Sequence, residues 1–361
     1  MRKLLFFLLL SYALALPAHA QESTLQILDT TELEQALPDA AEEIYGNLPV
    51  DASAWNDAAG KLLRWIGENA LPVFRHALDS ATTIMTILLL CAAAESVADS
   101  RGINCIALGG ALGISAVAAG DVSAFIGLGQ HTVETLSEFC TLLLPCIASA
   151  GAAAGNLSSS GAMYAATALF MDVLLTLSAG FIMPLIYVYI AAVTARAALG
   201  TEALSAAVRV TQWTCTAVLT VLVTVFTAYF GITGAVGAAS DAASARVAKA
   251  AINAALPVVG KIVSGAAGSV IAGASLLRAG IGVFGLLTVL AVCAYPFLAL
   301  GAHYLVYKAA ALLGAELSGG RLGGLISGIG TAFGMVLGLV GVSALMLFFA
   351  LISGMKAVSP L

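Results

Sequence analysis

The residues with most chemical reach in this chain are four histidines, six cysteines and a Gly-Lys pair at 260–261. His19 falls in a leader described below. His76, His131 and His303 stand far apart, and no His or Cys pair has the short spacing of a zinc site. The cysteines, at 91, 105, 140, 146, 215 and 293, all sit in or at the ends of apolar runs. Cys140 and Cys146 point in different directions on a helix, so the set reads as small buried residues rather than disulfides. Gly260-Lys261 lacks the first Gly and the trailing Ser or Thr of a phosphate-binding loop. The sequence therefore predicts no enzyme: no catalytic residue, no cofactor-binding residue, no metal ligand and no cofactor. Any energy the protein needs comes from another protein.

Two carboxylates stand inside apolar runs. Asp172 lies within AMYAATALFMDVLLTLSAG, and Glu95 lies near the end of an earlier run, close to Arg101. An intramembrane carboxylate is costly and usually faces a bundle interior or a wet cavity. Asp172 thus reads either as a pore-lining or ion-coupling group, or as a carboxylate satisfied by a neighbouring Ser or Thr. Glu95 reads as a group reaching the membrane interface.

The elements that must carry these residues follow from composition. Sixty per cent of residues are hydrophobic and only ten per cent charged, with mean hydropathy +1.01. A soluble domain is near half apolar and a quarter charged, so part of this chain's solvent is lipid. Net charge is −5 and no cluster of Lys and Arg forms a basic face, which argues against nucleic acid.

Residues 1–20 predict a cleavable signal peptide: Met1-Arg2-Lys3, the apolar LLFFLLLSYALAL, Pro17, then Ala18-His19-Ala20 with cleavage between Ala20 and Gln21. Residues 21–75 predict a helical, acidic extracytoplasmic segment. Nine acids and no base lie between Glu22 and Asp57. Leu33, Leu37, Ala40 and Ile44 recur at helical spacing, and Pro38 implies a kink or two short helices. Asp51 or Ser53 is placed to cap the next helix. Around Trp55, Leu62 and Trp65 that helix is amphipathic, suited either to the membrane interface or to packing on its own neighbours.

Residues 76–361 predict a multi-span membrane domain. A hydrocarbon core of ~30 Å needs about 20 apolar helical residues. Candidate spans are about 80–98, 102–120, 139–155, 162–195, 211–238, 279–301 and 325–353. The fourth is either one tilted helix or two segments broken near Ser178-Ala179-Gly180 and Pro184. The fold class is all-α and polytopic, with about 6–8 spans, since lipid offers backbone groups no partner and barrel alternation is absent. On this count 121–138 forms an outer loop. One crossing in 162–195 puts Arg246, Lys249, Lys261 and Arg278 on the cytoplasmic side; two put Arg196 and Arg209 there.

Rows of small residues run through the spans. Gly330, Gly334 and Gly338 are spaced by four, Gly324 with Gly328 begins a second row, and Gly109/Gly113 and Gly151/Gly155 form pairs. Such rows let helix backbones approach closely within one subunit, in a homo-oligomer, or against partner helices.

The stretch RVAKAAINAALPVVGKIVSG, 246–265, reads as an amphipathic helix starting near Ser240-Asp241, a break at Pro257 and Gly260, and a second short helix. Arg246 and Lys249 share one side of the first. Together with Asn253, Pro257 and Gly260 they are expected to form an assembly motif at the membrane boundary.

The pattern Arg246-x-x-Lys249-x-x-x-Asn253-x-x-x-Pro257-Val258-Val259-Gly260, followed by ASLLRAGIGVFG and a span containing CAYPFLALG, resembles the stage III sporulation protein AE family. The order of signal, acidic segment and polytopic region agrees with it. The resemblance implies a mother-cell product in the outer forespore membrane of an endospore former. It implies a channel or secretion-like complex joining mother cell and forespore, needed for late forespore gene expression. The implied partners are other products of the stage III sporulation A operon, including its ATPase, besides the bilayer itself. It carries over no catalytic residue. A secondary transporter and a non-conducting scaffold are the alternative readings.

Overall fold

The computed structural model describes residues 30–154, 157–200, 202–255, 260–317 and 320–356, without the side chains of 233–274 and a few others. The signal-peptide residues, Ala20 and Gln21 included, lie outside it. Every element among the described residues is helical. Two short helices come first, α1 (Thr30–Gln35) and α2 (Asp39–Tyr45), then a 3-10 turn at Ala52–Ala54. Long helices follow: α3 (Trp55–Glu95), α4 (Ser100–Ala153), α5 (Leu157–Leu177), a π turn (Ser178–Ile182), α6 (Met183–Leu199), α7 (Glu202–Ala255), α8 (Gly260–Leu317) and α9 (Arg321–Lys356).

The expected division at Pro38 is present, while Asp51 caps a 3-10 turn that precedes the next helix rather than that helix itself. Pro38 separates α1 from α2, because it lacks an N–H to continue the first helix. Asp51 caps the 3-10 turn: its carboxylate accepts from the Ser53 N–H at 3.0 Å and from the Ser53 hydroxyl at 2.7 Å. Those bonds, the backbone one foremost, hold the Asp51 carboxyl below its ordinary value, so the cap is intact at neutral pH and weakens as pH falls through that lowered range.

The segment folds back onto the bundle rather than hanging free. Leu33, Ile44, Tyr45 and Leu48 are buried in the common core. The Trp65 indole donates to Glu43 at 3.2 Å, and Lys61 donates to the Tyr45 carbonyl at 3.2 Å. The Tyr45 hydroxyl donates to the Leu287 carbonyl of α8 at 3.1 Å. Burial pushes the Tyr45 phenol above its ordinary value, so it remains a donor at every physiological pH. Tyr45→Phe is expected to cost about 1 kcal/mol. Limited proteolysis should then release the segment faster while the bundle keeps its elution volume.

Among the described residues, six stretches are long and apolar enough to cross a membrane: Trp55–Glu95, Gly102–Ala153, Ser160–Leu199, Leu204–Ile232, Leu277–Ala315 and Arg321–Ile352. α8 and α9 form the most extensively paired hairpin and are buried over more of their length than the others. α3 and α4 pack on α8, α6 and α4 on α9, and α7 closes against α5 and α6.

One sequence expectation gives way here and one open alternative is decided. The first is the outer loop at 121–138, which is the middle of α4. Val122, Phe125/Ile126, Gly129, Val133 and Leu136 are all buried and recur every three or four positions. That helical stripe outweighs the local acids. At 1.5 Å per residue α4 is about 80 Å long, well beyond a ~30 Å hydrocarbon layer. The second concerns 162–195, open in sequence between one crossing and two, which is one passage through the bundle. The expected break at Ser178-Ala179-Gly180 is a π turn in which the Met183 N–H bonds the Ser178 carbonyl, and Pro184 sits in the first turn of α6. One crossing fewer in α4 places the ends of α3, α6 and α8 together. There Arg321 donates to Asn104 at 3.1 Å, beside Gly200, the left-handed glycine (φ 66°) that ends α6.

Candidate functional site

Helix α8 brings two adjacent polar stripes into the bundle. His303 and Tyr307 are one turn apart, as are Tyr304 and Lys308, so each pair shares a face. The first stripe looks toward α3 and α4, the second toward α7 and α9.

On the first face, His303 is 1% exposed, and its Nδ1 lies 2.9 Å from the Ala299 carbonyl. A carbonyl only accepts, so Nδ1 carries the proton and Nε2 presents a lone pair. That Nε2 is buried with no hydrogen-bond partner among the described residues. The ring is held by Phe125 at 4.3 Å between centroids and by the edge contact with Phe333 at 5.7 Å. His76 of α3 approaches to 5.7 Å between ring centroids. Asp121 of α4 completes the group, one of its oxygens accepting from the Tyr307 hydroxyl at 3.0 Å. Among the described residues this is where metal-competent donors converge: one atom each of His76, Asp121 and His303 lie within 4.8 Å of one another.

On the second face a cleft of about 640 Å³ opens between α7, α8 and α9. One wall is a row on α7, Gln212, Thr216, Thr220 and Thr224, spaced by four. Each threonine hydroxyl in it donates to the carbonyl four residues back, at 2.7–2.9 Å. Its oxygen thereby remains an acceptor toward the cleft. The facing wall presents Lys308, whose ammonium donates to the Ser327 carbonyl at 2.9 Å, the Ser327 hydroxyl at 2.9 Å and the Thr331 hydroxyl at 2.7 Å. Gly334 and Gly338 of α9 also line the cleft. A fixed cation facing a ladder of acceptors, in a volume typical of small-molecule sites, can hold water and anionic or hydroxylated solutes.

The residues singled out in sequence divide between this region and others. Gly330 and Gly334 do pack closely on α8: a Cβ on them would lie 3.2 Å from the Tyr307 Cβ and 3.1 Å from the Tyr304 ring. Gly338 instead faces α7, near Leu219. Gly328 abuts Val193 of α6, whereas Gly109 meets nothing within 4 Å. Asp172 is exposed on the outer side of α5 and lines neither centre; Glu95 is half-buried at the end of α3. Arg246, Lys249 and Asn253 belong to α7, which continues through 240–241 where a new helix was expected to begin. Gly260 opens α8, which is 58 residues long rather than short. Pro257 and the side chains of the other motif residues lie outside the described residues.

Three features escaped sequence reasoning. His76 and His303, which stand 227 positions apart in the chain, meet in space. Lys308 was not singled out, although Tyr304-x-x-x-Lys308 on an apolar helix was a visible signal. Arg278, which one of the two topologies put on the cytoplasmic side, is 1% exposed inside the bundle near Gly151.

Comparison with known families supplies an independent identification. The family described as stage III sporulation protein AE matches residues 80–357, a range that includes Asp121, His303, Lys308 and the whole cleft, and begins just after His76. No curated protein and no solved structure matches the chain. With well over half its length matched, this chain belongs to the stage III sporulation protein AE family, and is a multi-pass membrane protein of sporulation.

Proposed function

We propose that this protein is a channel or export-platform subunit of a complex joining mother cell and forespore, acting in late forespore gene expression. The observation that carries this reading is the cleft between α7, α8 and α9. Its lysine and threonine walls suit water and polar solutes between helices that are otherwise largely apolar. The partners are other products of the stage III sporulation A operon, whose ATPase supplies the energy. The acidic faces of the N-terminal segment, with Asp39, Glu42 and Glu43 exposed, suit a basic extracytoplasmic partner.

In this reading the protein sits in the mother-cell-derived outer forespore membrane with its mature N-terminus extracytoplasmic. Alternation of the helices then puts Arg196, Arg209 and Arg321 toward the cytoplasm, as the positive-inside rule favours. Asp172, exposed on an apolar helix face, marks a contact with a second copy or a partner helix rather than the conduction route. That observation weakens the secondary-transporter reading, which leaned on Asp172.

Cysteine accessibility tests the proposal. Thr216→Cys, Thr220→Cys and Thr224→Cys, each in a cysteine-free background, are expected to react with a membrane-impermeant thiol reagent in sporulating cells. Labelling should arrest late forespore gene expression. If all three stay unlabelled in a protein that supports normal sporulation, the cleft is not a water path and the scaffold reading replaces the channel.

A further inference from the structure

We infer that His76, Asp121 and His303 form a binding site for a divalent transition metal of zinc's class, tying α3, α4 and α8 together. The sequence predicted no metal ligand, because the three residues come from three helices with no shared spacing. The geometry points the other way on four counts.

First, the donors converge within 4.8 Å of one another. Ligands of a tetrahedral zinc with bonds of about 2.0–2.1 Å stand about 3.4 Å apart, so closure needs movements of at most about 1.5 Å. His76, exposed at the surface of α3, is free to make them. Second, the His303 Nε2 is the lone-pair nitrogen, buried and without a hydrogen-bond partner among the described residues. A buried acceptor left unmade is costly, and coordination is one way to satisfy it. Third, the outer contacts match those of a metal site. The Ala299 carbonyl fixes the His303 tautomer and the Tyr307 hydroxyl orients the Asp121 carboxylate, leaving the second carboxylate oxygen available. Fourth, Phe125 and Phe333 pack the His303 ring, so its direction is set before a metal arrives.

Two imidazoles and one carboxylate select zinc, cobalt, iron or nickel over magnesium and calcium. Three protein ligands leave a fourth position for solvent on the His76 side. Such a metal would clamp α3, which leads from the N-terminal segment, to the α8 core, and coupling of metal occupancy to that docking follows.

The test uses full-length protein purified in detergent and stripped with a chelator. Titration with Co²⁺ should give visible d–d bands of tetrahedral type saturating at one ion per chain, and Zn²⁺ but not Mg²⁺ or Ca²⁺ should bleach them. His303→Gln, Asp121→Asn and His76→Gln should each weaken binding about 10–100-fold or more, and Tyr307→Phe about tenfold. His76→Cys should restore tight zinc binding, because a surface thiolate replaces the imidazole without disturbing the core. His131→Gln, on α4 but outside the cluster, should change nothing. The inference falls if wild-type protein shows no saturable Co²⁺ bands at micromolar metal. It falls equally if His76→Gln, which leaves the fold intact, binds like wild type.

Discussion

Replacing Gly323 by leucine is expected to destroy the folded bundle. Gly323 is buried two residues into α9, where the hairpin with α8 is tightest. A Cβ there would lie 2.7 Å from the Ala315 backbone nitrogen and 3.0 Å from both the Ala315 Cα and the Gly314 carbonyl carbon. The clash is with backbone, so no rotamer avoids it and the two helices must separate. Overpacking a core costs about 1–3 kcal/mol when side chains can yield, and more when backbone must. Here the opening also uncouples Gly330 and Gly334 from their contacts on α8. Size-exclusion chromatography of the detergent-solubilised protein should show Gly323→Leu eluting as aggregate, and Gly323→Ala should already lower the melting temperature. Gly109→Leu is the control, since a side chain there meets open space. A monodisperse Gly323→Leu of wild-type stability would show that the hairpin is not packed this way.

Lys308→Met is expected to have the opposite profile, a folded protein with little function. Methionine keeps the unbranched stem and its packing beside Tyr304 while removing the charge and the three donated bonds. The polar groups left behind are not stranded: the Thr331 hydroxyl still donates to the Ser327 carbonyl at 2.9 Å, and the cleft beside them has room for water. Stability should therefore change by about 1–3 kcal/mol at most, because the desolvation cost of the half-buried ammonium disappears together with its three bonds. The cleft, however, loses its fixed cation. The expected drop in heat-resistant spores is about ten- to a hundredfold, the factor set by one charge-assisted hydrogen bond. Lys308→Arg should recover part of it, as a guanidinium keeps the charge but not the compact geometry. Normal spore counts from Lys308→Met at normal protein levels would remove the cleft from the working part of the protein.

The sequence disclosed the class of this protein far better than its centres. Six to eight apolar helices, the split at Pro38, the Asp51 cap and the irregularity at 178–180 were all legible, because each depends on neighbours along the chain. Family membership was legible from 246–301 for the same reason. The long α4 was misread because Asp121, Glu134 and Glu138 looked like a loop when judged by charge. Judged by period, Val122 through Leu136 already formed a buried stripe. The His76–Asp121–His303 group and the partners of Lys308 were illegible in principle, since they are made by tertiary contacts between helices. Asp172 drew attention because a charge within an apolar run is conspicuous, yet composition does not say which way a helix turns it.

The π turn at 178–182 has a meaning for the whole α5–α6 passage that its local geometry hides. The buried residues Met163, Thr167, Met171, Leu174, Ser178, Ile182, Ile186, Tyr189, Val193 and Ala197 are spaced by four more often than by three. Nine turns of ideal α-helix use about 32 residues, and this row uses about two more. An unbroken α-helix would let the row drift around the axis, until one half faced the core and the other faced lipid. The π turn takes up one surplus residue at a single point, with Ala179 and Gly180 exposed on the outer side. It acts as a phase correction. With it, Met163 near one end and Ala197 near the other look inward along the same line, and Tyr189 and Val193 reach α9 while Met171 and Leu174 still serve the bundle behind them.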